Sequence, residues 1–139
     1  MESPIWKFEA DLTNRLLAWS MLSLFAGLYF CFSASDFFRG FGVQCAAWGL
    51  VDAGIAIFGA RSAARRKSTA VPKDEAKHIR RLLWLNFGLD FLYIIGGFSI
   101  LFFLPASFWQ GTGWGIIIQG AFLLFFDLIH ALRVPIEAI

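Results

Sequence analysis

The chain has 139 residues, of which 58% are hydrophobic and only 16% charged, and its net charge is +2. A soluble domain of this length has too little interior to hide that much apolar surface, which disfavours a water-soluble globule. The small positive balance sits in one short segment without interleaved aromatics, which argues against nucleic acid as a partner.

Residues 2–15, ESPIWKFEADLTNR, set Ile5, Phe8 and Leu12 at helical spacing and add Trp6, a ring that favours membrane interfaces. They are expected to form a short helix lying on the membrane surface ahead of the first span. Glu2, Glu9 and Asp11 interrupt any short positive head, so the first apolar run is expected to be kept as a helix and not cleaved.

Four apolar runs follow, at about 16–34, 41–60, 82–104 and 113–134. Each reaches about 20 residues, enough for a helix to cross roughly 30 Å of hydrocarbon. Backbone groups in lipid must bond within their own segment, and no strand-like alternation is present, so helices are expected. The fold class is therefore all-α: a polytopic membrane protein, one domain over 1–139, with four transmembrane helices in a compact bundle and the lipid bilayer as its first partner.

Residues 61–81 hold eight of the twelve Lys and Arg residues, whereas 105–113 has no charge. The bias of positive loops to the inside places 61–81 in the cytoplasm of a cell (inner) membrane, and both termini with it. Pro72 is expected to separate a pair of helical extensions within this segment. GTGWG, 111–115, reads as a turn leading into the fourth helix. Cys31 and Cys45 fit no metal or redox spacing.

Spans two and four run the same way, and in each a Gln precedes an Asp by eight residues, as Gln44 to Asp52 and Gln119 to Asp127. RLLAW at 15–19 and RLLWL at 81–85 pair spans one and three. The matches suggest a parallel repeat of two hairpins, a pattern found in transporters.

The carriers of chemistry are Asp52, Asp90 and Asp127. Counted from the basic-loop ends of their helices they lie at similar depth, roughly 11–12 Å in. Each shares a helix face with small or polar residues. Asn86, Asp90, Tyr93 and Gly97 line span three, and Gln119, Asp127 and His130 line span four. Three acids so close call for a proton, a cation or a basic partner. His130, one turn from Asp127, is the expected partner. Trp48 lies one turn from Asp52 and, with Tyr93, could stack on an organic cation.

Three functions compete. The acids, with His130, Asn86, Gln44, Gln119, Trp48 and Tyr93, could bind or translocate a proton or a metal or organic cation coupled to a small solute, in a homo-oligomer. Alternatively the buried polar residues hold together a non-catalytic subunit that assembles into a larger membrane complex. Third, Asp52, Asp90, Asp127 and His130 could ligate a divalent metal in an intramembrane enzyme.

Overall fold

The structure, a computed structural model, describes residues 2–135. Met1 and residues 136–139 lie outside the described residues. Four helices account for nearly all of it: α1 (Pro4–Cys31), α2 (Asp36–Arg66), α3 (Pro72–Phe103) and α4 (Ser107–Arg133).

Local chemistry places the ends. Pro4 and Pro72 open α1 and α3, where the missing N–H costs nothing. Ser35 caps α2, its hydroxyl accepting from the Phe38 N–H at 3.4 Å. Asp74 and Glu75 lie in the first turn of α3, and Arg65 and Arg66 in the last turn of α2, each matched to the helix dipole. The helical extensions on either side of Pro72 are present, and only 67–71 connect them.

Helices α2, α3 and α4 are long and apolar enough to cross a membrane. α1 falls short of that measure. Charged residues occupy it up to Arg15, and the helix stops at Cys31. The apolar stretch left rises about 24 Å, less than the roughly 30 Å of a hydrocarbon core.

Two expectations are corrected here. Residues 2–15 do not form a separate surface helix, because α1 is continuous from Pro4. Ile5 and Trp6 are buried and pack with Ala76, Ile79 and Leu83 of α3 and with Ala131 and Val134, closing one end of the bundle. GTGWG is not a turn, because α4 already starts at Ser107. Its glycines are contact points inside a helix.

The bundle is two antiparallel hairpins, α1 on α2 and α3 on α4, joined by the parallel pair α2 and α4, while α1 and α3 have little contact beyond the closed end. Glycine allows each contact. On the α1–α2 seam a Cβ on Gly49 would lie 2.7 Å from the Leu24 backbone N. On the α3–α4 seam Gly97 and Gly113 face each other, and a Cβ on either would meet the other's carbonyl oxygen at 3.0 Å. Gly40 and Gly111 press backbone to backbone where α2 crosses α4. Close approach of this kind replaces the hydrophobic drive that lipid does not supply between helices. Gly49→Ala is therefore expected to cost about 1–3 kcal/mol, as overpacking against backbone does. Gly54→Ala, where a Cβ meets nothing within 4 Å, should be neutral or stabilising by about 0.5–1 kcal/mol. Thermal unfolding of both in detergent checks this, and equal effects would overturn the reading of the seam.

The outward surface is apolar. Phe25, Tyr29, Phe58, Leu92, Phe102 and Leu132 are all exposed. An apolar surface this extensive is unlike a soluble monomer and matches a polytopic membrane protein.

Candidate functional site

The three acids meet. Asp52 of α2, Asp90 of α3 and Asp127 of α4 are 2%, 3% and 7% exposed. The carboxyls of Asp90 and Asp127 are within hydrogen-bonding reach of each other, and Asp52 is near enough to feel Asp90 and to act on Asp127. Equal depth along helices of constant rise brought them level, and small residues let them close in. Asp52 sits between Gly49 and Ala56, both buried on the same face.

Every ion pair among the described residues lies elsewhere. Asp52 Oδ2 and Asp90 Oδ2 are buried with no hydrogen-bond partner. His130 is not the partner of Asp127. Its Nδ1 bonds the Phe126 carbonyl oxygen at 2.7 Å, and its Nε2 faces the Arg15 guanidinium at 3.2 Å. With Nδ1–H donating to the carbonyl, Nε2 accepts from Arg15, so the ring is neutral and turned toward α1.

The other expected residues divide. Gln119 is buried one layer away, accepting from Trp19 Nε1 at 3.0 Å and donating to Ser23 Oγ at 3.1 Å. It ties α4 to α1 and does not reach the acids. Gln44, its match in the suggested repeat, packs its stem on Gly115, so the two positions do different work. Trp48 and Tyr93 meet each other edge to face, with centroids 4.7 Å apart, and link α2 to α3. Asn86 and Asp127 line one cavity between α2 and α3. Among the described residues no group of three or more His, Cys, Asp and Glu is placed to hold a metal ion. Both cysteines are free.

Residues 15–128 match a family of unknown function, DUF6992. The chain belongs to that family. No curated protein and no solved structure matches it. The segment matched to DUF6992 contains all three acids, together with Arg66 and Glu75, while Glu9 and His130 lie outside it.

A second polar cluster escaped the sequence reading. At the end of the bundle that carries 67–71, Arg66 of α2 grips Glu75 of α3 through two nitrogens, at 2.8 Å from Nη2 and 3.1 Å from Nε. Its third nitrogen donates to Ser62. Glu9 of α1 lies 3.8 Å from the same guanidinium. Glu9 and Glu75 are both buried, at 3% and 4% exposure. Neither Glu9 oxygen has a donor among the described residues. A proton on Glu9 supplies the missing bond, donated to Glu75.

Burial pushes the Glu9 carboxyl up to about 8, and the bond and charge of Glu75 push the same way. Burial also works against the charge of Glu75, but the bonds from Glu9 and Arg66 outweigh it and hold that carboxyl below its ordinary range. One signal for this cluster was present in the chain. Glu9 follows Ile5 by one helical turn and precedes Leu12, so an acid stands on an apolar face.

Proposed function

We propose that this chain is a non-catalytic membrane subunit of four spanning helices, whose buried polar residues fix how the helices pack. Both termini and the basic segment 61–81 lie on the cytoplasmic side, and the chain acts by assembling with copies of itself or with other membrane proteins. The observation that carries the reading is the Arg66–Glu75–Glu9 cluster, one polar knot joining three helices. Gln119 with Ser23 and Trp19, and Arg15 with His130, add two more ties from α1 to α4.

The fourth crossing, by α1, is supported by its apolar outer face, with Leu22, Phe25 and Tyr29 all exposed, and by its packing along α2. Four crossings return both termini to one side. Basic residues clustered between α2 and α3 set that side as cytoplasmic. The lack of a metal-holding group among the described residues weighs against the metal-enzyme reading.

The test is the stability of Asp52→Asn, Asp90→Asn and Asp127→Asn beside the parent in sodium, magnesium and calcium salts. If the acids act as helix glue, the amides keep the bonding and melting stays within about 0.6 kcal/mol of the parent, the size of an average polar tie in membranes. A single metal cation that stabilises the parent saturably, and none of the variants, would sink this reading.

A second reading, binding or translocation of a proton or cation coupled to a solute, is favoured by one observation. Among the described residues, Asp52 and Asp90 keep unpartnered buried oxygens in a layer that no ion pair reaches. Ionisable groups within membrane spans are costly and mark ligand or ion paths.

A further inference from the structure

Between the Trp48–Tyr93 contact and the Arg66–Glu75 pair at the end that carries 67–71, the backbones of α2 and α3 stand apart. A cavity of about 630 Å³ lies there. That is the size of sites that hold small organic ligands, about 300–1,000 Å³. Its walls are apolar, formed by Leu16, Val51, Ile55, Phe58, Leu82 and Leu83. Val51, Ile55, Phe58 and Leu82 are also exposed on the outer surface of the bundle, so the cavity opens sideways, where lipid would lie.

One wall is polar, made by Asp127 and Asn86. Asp127 is more than nine-tenths buried, and behind it stand Asp90 and Asp52, each with an oxygen that has no partner. The basic groups that reach the cavity, Arg66 and His78, line it with Glu9 and Ser62, and Arg66 is held by Glu75 and Ser62. The acid wall thus gathers three carboxyl groups against a hydrocarbon-lined pocket, where a positive charge would let Asp127 ionise. A bare metal ion does not match such walls, and a neutral acyl chain would leave the carboxyl desolvated without a partner.

We propose that this cavity binds a lipophilic organic cation, a single ammonium or phosphonium centre on an aromatic or hydrocarbon body, which enters sideways between α2 and α3 and sets its charge against Asp127. The proposal rests on the cation reading above and names its ligand class. Hydrophobic walls supply affinity, and the carboxylate supplies the preference for positive charge.

Tetraphenylphosphonium and tetraphenylborate are near-identical in shape and opposite in charge, which makes them the probes. Both are titrated calorimetrically into the full chain in a neutral maltoside detergent. Tetraphenylphosphonium is expected to bind saturably at one per chain, with the borate weaker by about tenfold or more. Asp127→Asn is expected to weaken the phosphonium by about tenfold. Gly54→Trp is expected to do the same. Gly54 lines the cavity and a Cβ there meets nothing within 4 Å, so an indole can occupy cavity space from a position where its first carbon meets no backbone. Helical circular dichroism and gel filtration show that both variants are folded. Equal affinity for the two ions, no saturable phosphonium binding, or undiminished binding by Gly54→Trp would each overturn the site. Infrared titration of the carboxyl C=O band, compared with Asp127→Asn, keeps two failures apart. A band that responds to pH, without phosphonium binding, overturns the organic-cation site and leaves proton binding standing. Absence of both overturns the cation reading itself.

Discussion

Arg66→Met should lower the stability of the bundle by about 3 kcal/mol. Removing one partner of a buried ion pair strands the other, at a typical cost of about 3–5 kcal/mol. The lower end applies because Arg66 is itself 34% exposed, and water screens some of its charge. The cost arises at Glu75 and Glu9, whose side chains are 4% exposed and which pack at the closed end beside Ala76 and Trp6. Adding Glu75→Gln to Arg66→Met removes the stranded charge, and should recover some of the loss. Thermal unfolding of the two variants and the parent at one pH measures this. A change within about 0.5 kcal/mol for Arg66→Met, the size of ordinary surface substitutions, would show that the knot does not hold the helices.

The same knot should make stability depend on pH with an unusual sign. Glu9 titrates near its ordinary value of 4.5 in the unfolded chain and at about 8 in the bundle. Between those values the folded state holds a proton that the unfolded state has released, so stability falls as pH rises. The contribution of Glu9 is complete below about pH 4.5 and lost by about pH 8. Glu75 works in the other direction. Its carboxyl is held below the ordinary range, so its contribution is present above the ordinary carboxylate value and is lost as pH falls into strong acid. The pair together gives a stability maximum in mild acid.

The groups that face Glu9 are Glu75 of α3 and Arg66 of α2, with His78 acting on Glu75. A tenfold change in proton affinity corresponds to about 1.4 kcal/mol, so the decline from about pH 5 to about pH 8 should reach a few kcal/mol. Glu9→Gln keeps a donor for Glu75 and has no proton to lose. Its stability should fall less steeply than the parent's across that interval and exceed the parent's at the alkaline end. A Glu9→Gln profile that still falls in parallel with the parent would assign the dependence to another group.

Helices and depth were legible in the chain. Apolar runs of about 20 residues marked α2, α3 and α4, because a lipid core demands that length and leaves no other backbone choice. Pro72 marked the start of α3 because it fits only the first turn. The level of Asp52, Asp90 and Asp127 could be counted from the helix ends, because rise per residue is constant. The packed faces of the helices could be read as well, since small and polar residues recur every three or four positions.

Pairing across the bundle was not legible. His130 follows Asp127 by three residues, yet its ring turns to Arg15, a residue 115 positions away. The i to i+3 spacing allowed the contact with Asp127, and a competing donor on α1 took the acceptor. GTGWG has the composition of a turn, and only the neighbouring backbones of α2 and α3 reveal its glycines as contact points. Glu9 was legible as an acid on an apolar face, whereas its partners come from two other helices.

What the chain determined alone is what local rules decide: where helices lie, how deep their acids sit, and which charges gather at one end. Tertiary structure alone decided which carboxylate meets a guanidinium and which meets another carboxylate. It also set where α2 and α3 touch and where they stand apart to leave a cavity. The reason is physical. Helix formation in lipid is driven by backbone bonds within the segment, so it depends on neighbours in sequence. Polar pairing between helices depends on seams of glycine, whose fit is a property of all four helices together.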